Sequence, residues 1–173
     1  MKTVGFTQMA KGTRDDYLLL ERLEREHAAA LPDRLLRHLL ELGDSFSGYQ
    51  VDRLTHSLQS ATRAHRDGAS EELVVVALLH DIGDMLAPLN HSEMAAAVLK
   101  PYVSEESYWI VKHHGLFQSY YYAHHVGGDR YARERYRDLS LIHISEPTRR
   151  SARWYGGGWG KKKCGGGGGG GGG

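Results

Sequence analysis

Cysteine is all but missing. Cys164 stands alone, so no disulfide can close within the chain and no cysteine-based zinc site can form. Long apolar runs are missing too: the longest, Leu73–Leu79, falls far short of a membrane span. The N-terminus lacks the basic-then-apolar pattern of a secretory signal, so a cytoplasmic protein is expected. Neither sign of charge prevails, with 22 Lys+Arg against 21 Asp+Glu and a net charge of +1. Even that faint basicity lies in the last stretch. Up to Asp138 the balance is about −4, which removes the electrostatic case for nucleic-acid binding. What the chain does have is glycine, 22 residues including the unbroken run Gly165–Gly173, and 11 histidines.

The periodic segments up to Asp138 all read as helix, and no convincing period-two alternation appears. Asp16–Ala30 carries Leu19, Leu20, Leu23 and Ala28 on one side. Pro32 suits the first turn of a second helix with Leu35, Leu36, Leu39 and Leu40 on one face. Gly43–Gly48 reads as a loop. A third helix spans about Gln50–Arg66 and stops at Asp67-Gly68. Ser70 reads as an N-cap, with Glu71 and Glu72 where the helix dipole favours acids. The helix from Leu73 to His80 is apolar on every side and should be buried all round. Asn90 and Glu93 suggest a capped start for a helix that ends before Pro101. Ser104 opens another, expected to end at Gly115, and a last one spans about Asp129–Arg137. An all-α domain is predicted.

Histidines fall at telling places in these helices. His80-Asp81 follows the buried helix, with Gly83 placed to end it. A carboxylate there is costly to desolvate unless it is paired or coordinates a metal. The plainer alternative is a capping aspartate beside a packed histidine. His91 lies on the core side at the mouth of its helix, beside the stripe Met94, Ala95 and Val98. His114 shares an apolar face with Ile110 and Val111. His56 lies away from the stripe Val51, Leu54, Leu58 and Ala61. That placement means either solvent exposure or a second face lining a polar cavity.

Four strings in order, THSLQ (Thr55–Gln59), LLHDIGD (Leu78–Asp84), NHSEMAA (Asn90–Ala96) and VKHHGLFQ (Val111–Gln118), resemble the HD-domain metalloenzyme superfamily in its dinuclear form. The likeness covers about residues 49–138. It is similar to bacterial predicted HD phosphohydrolases, to diiron oxygenases of organophosphonates and, more distantly, to inositol oxygenase. The resemblance implies an HD-domain helical bundle with His56, His80 and Asp81 on one metal. Asp81 would bridge to a second metal held by His91 and His114, with His80 and Asp81 catalytic. Two divalent or mixed-valent ions, Fe or Mn, are the expected cofactors. The pattern also calls for an aspartate on a later helix, which nothing after Asp138 supplies. Asp84 departs from many relatives, which carry Lys or His at that step. His113 could stand in for its neighbour; with Tyr49, Gln59 and Gln118 it is a candidate substrate contact. His124 and His125 read as surface or pocket residues, and His27, His38 and His65 as solvated.

Three functions follow from different classes. The first is hydrolysis of a small phosphate ester through a hydroxide shared by two metals. The second is a mixed-valent diiron oxygenase cleaving a small hydroxylated organophosphonate or polyol. The third is a non-catalytic helical binding module. A small-molecule substrate is expected, with neither nucleic acid nor membrane as partner, and no oligomeric state is implied. From Leu139 the text resembles a translated sequencing adapter followed by homopolymer. Residues 139–173 therefore read as a non-native, disordered Gly-rich tail. On that reading the native chain runs on past Asp138.

Overall fold

The computed structural model describes residues 3–45 and 48–136. Among the described residues six α-helices form an all-α bundle: α1 (Arg14–Ala29), α2 (Leu31–Glu41), α3 (Arg53–Arg66), α4 (Glu71–Leu79), α5 (His91–Leu99) and α6 (Glu105–Tyr122). No strand occurs among the described residues, and no described helix is long and apolar enough to cross a membrane. The expectations for residues 139–173 fall outside the described part.

Helix starts follow local chemistry. Thr13 and Asp16 form a reciprocal capping box, which sets the first turn of α1 at Arg14 rather than Asp16. Asp52 accepts the Thr55 amide at 2.6 Å and opens α3 later than Gln50. Ser70 and Ser104 cap α4 and α6 as their sequences predict. Asn90 precedes α5, but its side chain makes no capping bond; its carbonyl instead accepts the amides of Glu93 and Met94. The segment expected as a last helix forms only the 3₁₀ turn Ala132–Tyr136 within the described residues.

The core gathers Leu39 and Leu42 with Val76, Leu79 and Ile82, and it is closed by Ala95, Ala96, Leu99 and Val111. Leu36 and Leu40 stay 53% and 65% exposed, so only the Leu35/Leu39 edge of the α2 stripe packs inward. The buried face of α3 is His56, Ser57, Ser60, Ala61 and Ala64, while Leu58 is half exposed. These small residues let α3 lie close to the apolar α4, a packing that outweighs the leucine stripe. On α4, Val76, Ala77 and Leu79 are buried, whereas Val75 faces outward, so this helix is not enclosed all round.

Two contacts fix the helices that carry the histidines. The Glu72 carboxylate accepts the Ser104 amide at 3.2 Å and its hydroxyl at 2.6 Å, together with the Ser107 hydroxyl. This fastens the start of α4 to the start of α6. His80 and His114 each stand nine positions beyond the first residue of their helices, about 14 Å further on at 1.5 Å per residue. They therefore meet, with ring centroids 4.9 Å apart. The second contact is between α5 and α6. Gly115 does not end α6, which continues to Tyr122. A Cβ there would stand 3.3 Å from Ser92 Oγ, so this glycine serves close helix approach rather than termination.

Candidate metal centre

His56 sits near the start of α3, His80 directly after α4, His91 at the first position of α5 and His114 within α6. Around Asp81 their Nε2 atoms divide into two pairs. Oδ2 lies 3.2 Å from His80 and 3.7 Å from His56. Oδ1 lies 3.2 Å from His114 and 3.5 Å from His91. Within each pair the Nε2 atoms are 3.2 Å apart. The result is two overlapping groups with metal-ligand spacing, His56/His80/Asp81 and Asp81/His91/His114. His56, His80, Asp81 and His114 are buried, and His91 is half-buried.

Proton positions test whether a cation fits. His80 Nδ1 lies 2.9 Å from the Ala77 carbonyl, and His114 Nδ1 lies 2.7 Å from the Val111 carbonyl. A carbonyl only accepts, so each Nδ1 carries a proton, and Nε2 is the nitrogen left to ligate a cation. Burial pushes the His114 imidazole down from its ordinary value. Burial, and then the neighbouring His80, push His56 down to about 4. For Asp81, burial acts to raise the carboxyl, but the His80 and His114 imidazoles outweigh it and hold the group well below the carboxylate range. Asp81 is thus held as a carboxylate where the imidazole nitrogens converge, each oxygen 3.2 Å from one of them, and Oδ1 is buried without a hydrogen-bond partner. Such a donor set fits divalent cations.

Gly83 positions the second pair. Backbone turns bridge Leu79 to Ala87, and α4 ends at Leu79, ahead of Gly83. A Cβ on Gly83 would fall 2.6 Å from the His91 carbonyl oxygen and 3.0 Å from Met94 Cβ. This glycine therefore lets the turn after Asp81 touch the first turn of α5, rather than stopping a helix.

Two further side chains stand at the site: Arg53, which no motif singles out, and Asp84, which the sequence marks only as a departure from relatives. Arg53 Nη1 donates to Asp81 Oδ2 at 3.2 Å, and its Nε lies 3.6 Å from Asp84 Oδ2. Asp84 Oδ1 is 4.0 Å from His91 Nδ1. The available signal was spacing: Arg53 precedes His56 by three and so shares its helix face.

His113 is directed away from the cluster. Its Nδ1 bonds to the Trp109 carbonyl, and its ring stacks on Trp109 beside Tyr136. His114, not His113, is thus the imidazole gathered at Asp81. Tyr49 is exposed, with Arg53 Cζ 5.4 Å from its ring centroid, while Gln59 and Gln118 are half-buried. His124 and His125 are exposed, as are His27 and His65. His38, expected to be solvated, is half-buried with Nδ1 2.7 Å from Glu41.

The family model described as HD domain matches residues 53–146, more than half of the chain. The match spans all five convergent side chains and runs past Asp138. A comparison with curated proteins finds no match.

Proposed function

The chain belongs to the HD-domain family, and from that premise we propose that it is a metal-dependent hydrolase of a small phosphate ester, working with two ions shared across Asp81. The observation that supports this reading is the division of Asp81, each oxygen facing its own imidazole pair. His56 and His80 would hold one ion with Oδ2, and His91 and His114 the other with Oδ1. Ions so held supply an activated water and positive charge for a phosphoryl oxygen. The chain's own groups do the rest. Backbone carbonyls hold the protons of His80 and His114 at Nδ1 and so keep Nε2 directed inward. The buried walls exclude bulk water, which strengthens every charge interaction inside.

Four imidazoles with one carboxylate and no thiolate suit Fe or Mn. That histidine-rich set also supports a second reading, an iron-dependent oxygenase of a small hydroxylated phosphonate or polyol. The experiment is anaerobic loading with Mn or with Fe, followed by assay. Phosphate release from phosphate esters without O₂ is expected. O₂-dependent turnover of a hydroxylated phosphonate with iron would favour the second reading. Turnover unchanged by His80→Ala or Asp81→Ala would overturn both.

A further inference from the structure

Two side chains mark the solvent side of the centre. His80, His114, His56 and Asp81 are nearly inaccessible, whereas Arg53 and His91 each keep 21% of the side chain exposed. The Arg53 guanidinium is held on three sides. Nη1 reaches Asp81, Nε pairs with the buried Asp84, and the Tyr49 ring lies 5.4 Å from Cζ. Nε itself is buried without a hydrogen bond. Among the described residues, Arg53 is the only Lys or Arg ion-paired with Asp81.

The oxygen that Nη1 contacts is the one facing His56 and His80. An ion bound there and the guanidinium would compete for the same lone pairs. Arg53 has five N–H donors in a rigid fork; with Nε turned to Asp84 and one Nη1 proton on Asp81, the remaining Nη1 and Nη2 protons are left for another acceptor. A fork of this kind matches the edge of a tetrahedral oxyanion and binds it bidentately. Two divalent cations would also outweigh Asp81 and Asp84, making the mouth attractive to anions.

We infer that Arg53, anchored by Asp84 and flanked by Tyr49, binds the oxyanion of the substrate, a phosphate or phosphonate group entering between α3 and the start of α5. This inference rests on the metal-dependent reading above. Asp84 is a positioning residue in it, acting through the guanidinium.

The test uses the full chain loaded with Mn, titrated calorimetrically with inorganic phosphate and with methylphosphonate, the tighter of the two identifying the kind of oxyanion. Arg53→Gln should weaken binding about tenfold or more, as expected for loss of a charge-assisted bond, with bound Mn undiminished. Arg53→Lys, which keeps the charge without the fork, should recover part of the loss. Asp84→Asn should weaken binding less than Arg53→Gln does. If Arg53→Gln melts below the assay temperature, Arg53→Lys is read instead, with a several-fold loss expected. A wild-type chain that binds no Mn overturns the metal reading itself. Bound Mn with no phosphate or methylphosphonate affinity, or with affinity unchanged by Arg53→Gln, overturns the Arg53 assignment alone. Loss of Mn in Arg53→Gln also overturns it, because Arg53 would then be a structural guard of Asp81.

Discussion

Each oxygen of Asp81 lies 3.2 Å from an imidazole nitrogen whose ring is fixed by a backbone carbonyl. Removing the carboxylate therefore takes a ligand from both groups at once. Asp81→Asn is expected to lose both ions, and His91→Gln only one, as read by metal content per chain. Retention of one tightly held ion by Asp81→Asn would contradict the shared-ligand geometry. The metal-free protein should also be acid-sensitive. With His56 lowered to about 4 in the fold and near 6.5 when unfolded, the unfolded chain binds more protons between those values. Stability should then fall as pH drops from about 6.5 to about 4, by up to about 3 kcal/mol. Burial of His114 acts in the same direction. Urea midpoints measured with chelator present should follow this slope, and His56→Gln should flatten it.

At the scale of elements, the contact between the Gly83 turn and α5 is the tightest joint of the centre. Gly83→Ala puts a methyl group 2.6 Å from the His91 carbonyl oxygen, so α5 must shift. A loss of about 1–3 kcal/mol is expected from such overpacking. The ion between Oδ1, His91 and His114 should be lost before its partner. A Gly83→Ala chain with an unchanged melting temperature and both ions would remove this role. The caps at Ser70 and Ser104 were legible in the sequence because a cap is settled within four residues. The course of α6 through Gly115 was not, because a glycine packed against Ser92 across the helix interface reads locally as a stop. The burial of His56 was hidden by a leucine stripe, since close packing of Ser57, Ser60 and Ala64 decided which face of α3 turned inward. Arg53 was hidden for a similar reason. A cation in a first helical turn reads as solvated until Asp81, 28 positions away, is known to stand beside it.

For the molecule as a whole, ions bound as proposed would tie α3 to α4, α5 and α6, which carry most of the core. An ion bound only by the folded state adds about 4 kcal/mol at a thousandfold excess over its dissociation constant. Chelation should lower the melting temperature accordingly, and an unchanged melting curve would argue against tight binding. The all-α architecture was readable from periodicity, and the convergence of His80, Asp81, His91 and His114 from the family resemblance of the four motifs, because burial and motif coincide there. The fastening of α4 to α6 by Glu72 was not, since a glutamate in a first turn has a sufficient local explanation. That clasp makes the centre a matter of counting. His80 and His114 each lie nine positions beyond the first residue of the two helices that the clasp joins. Side chains along α4 can change while the count holds, but removing one residue swings His80 by about 100° and draws it back by about 1.5 Å. Val75→Ala should keep its metal, and deletion of Val75 should not. Loss of such a centre over evolutionary time would come more readily by insertion and deletion than by substitution along these two helices.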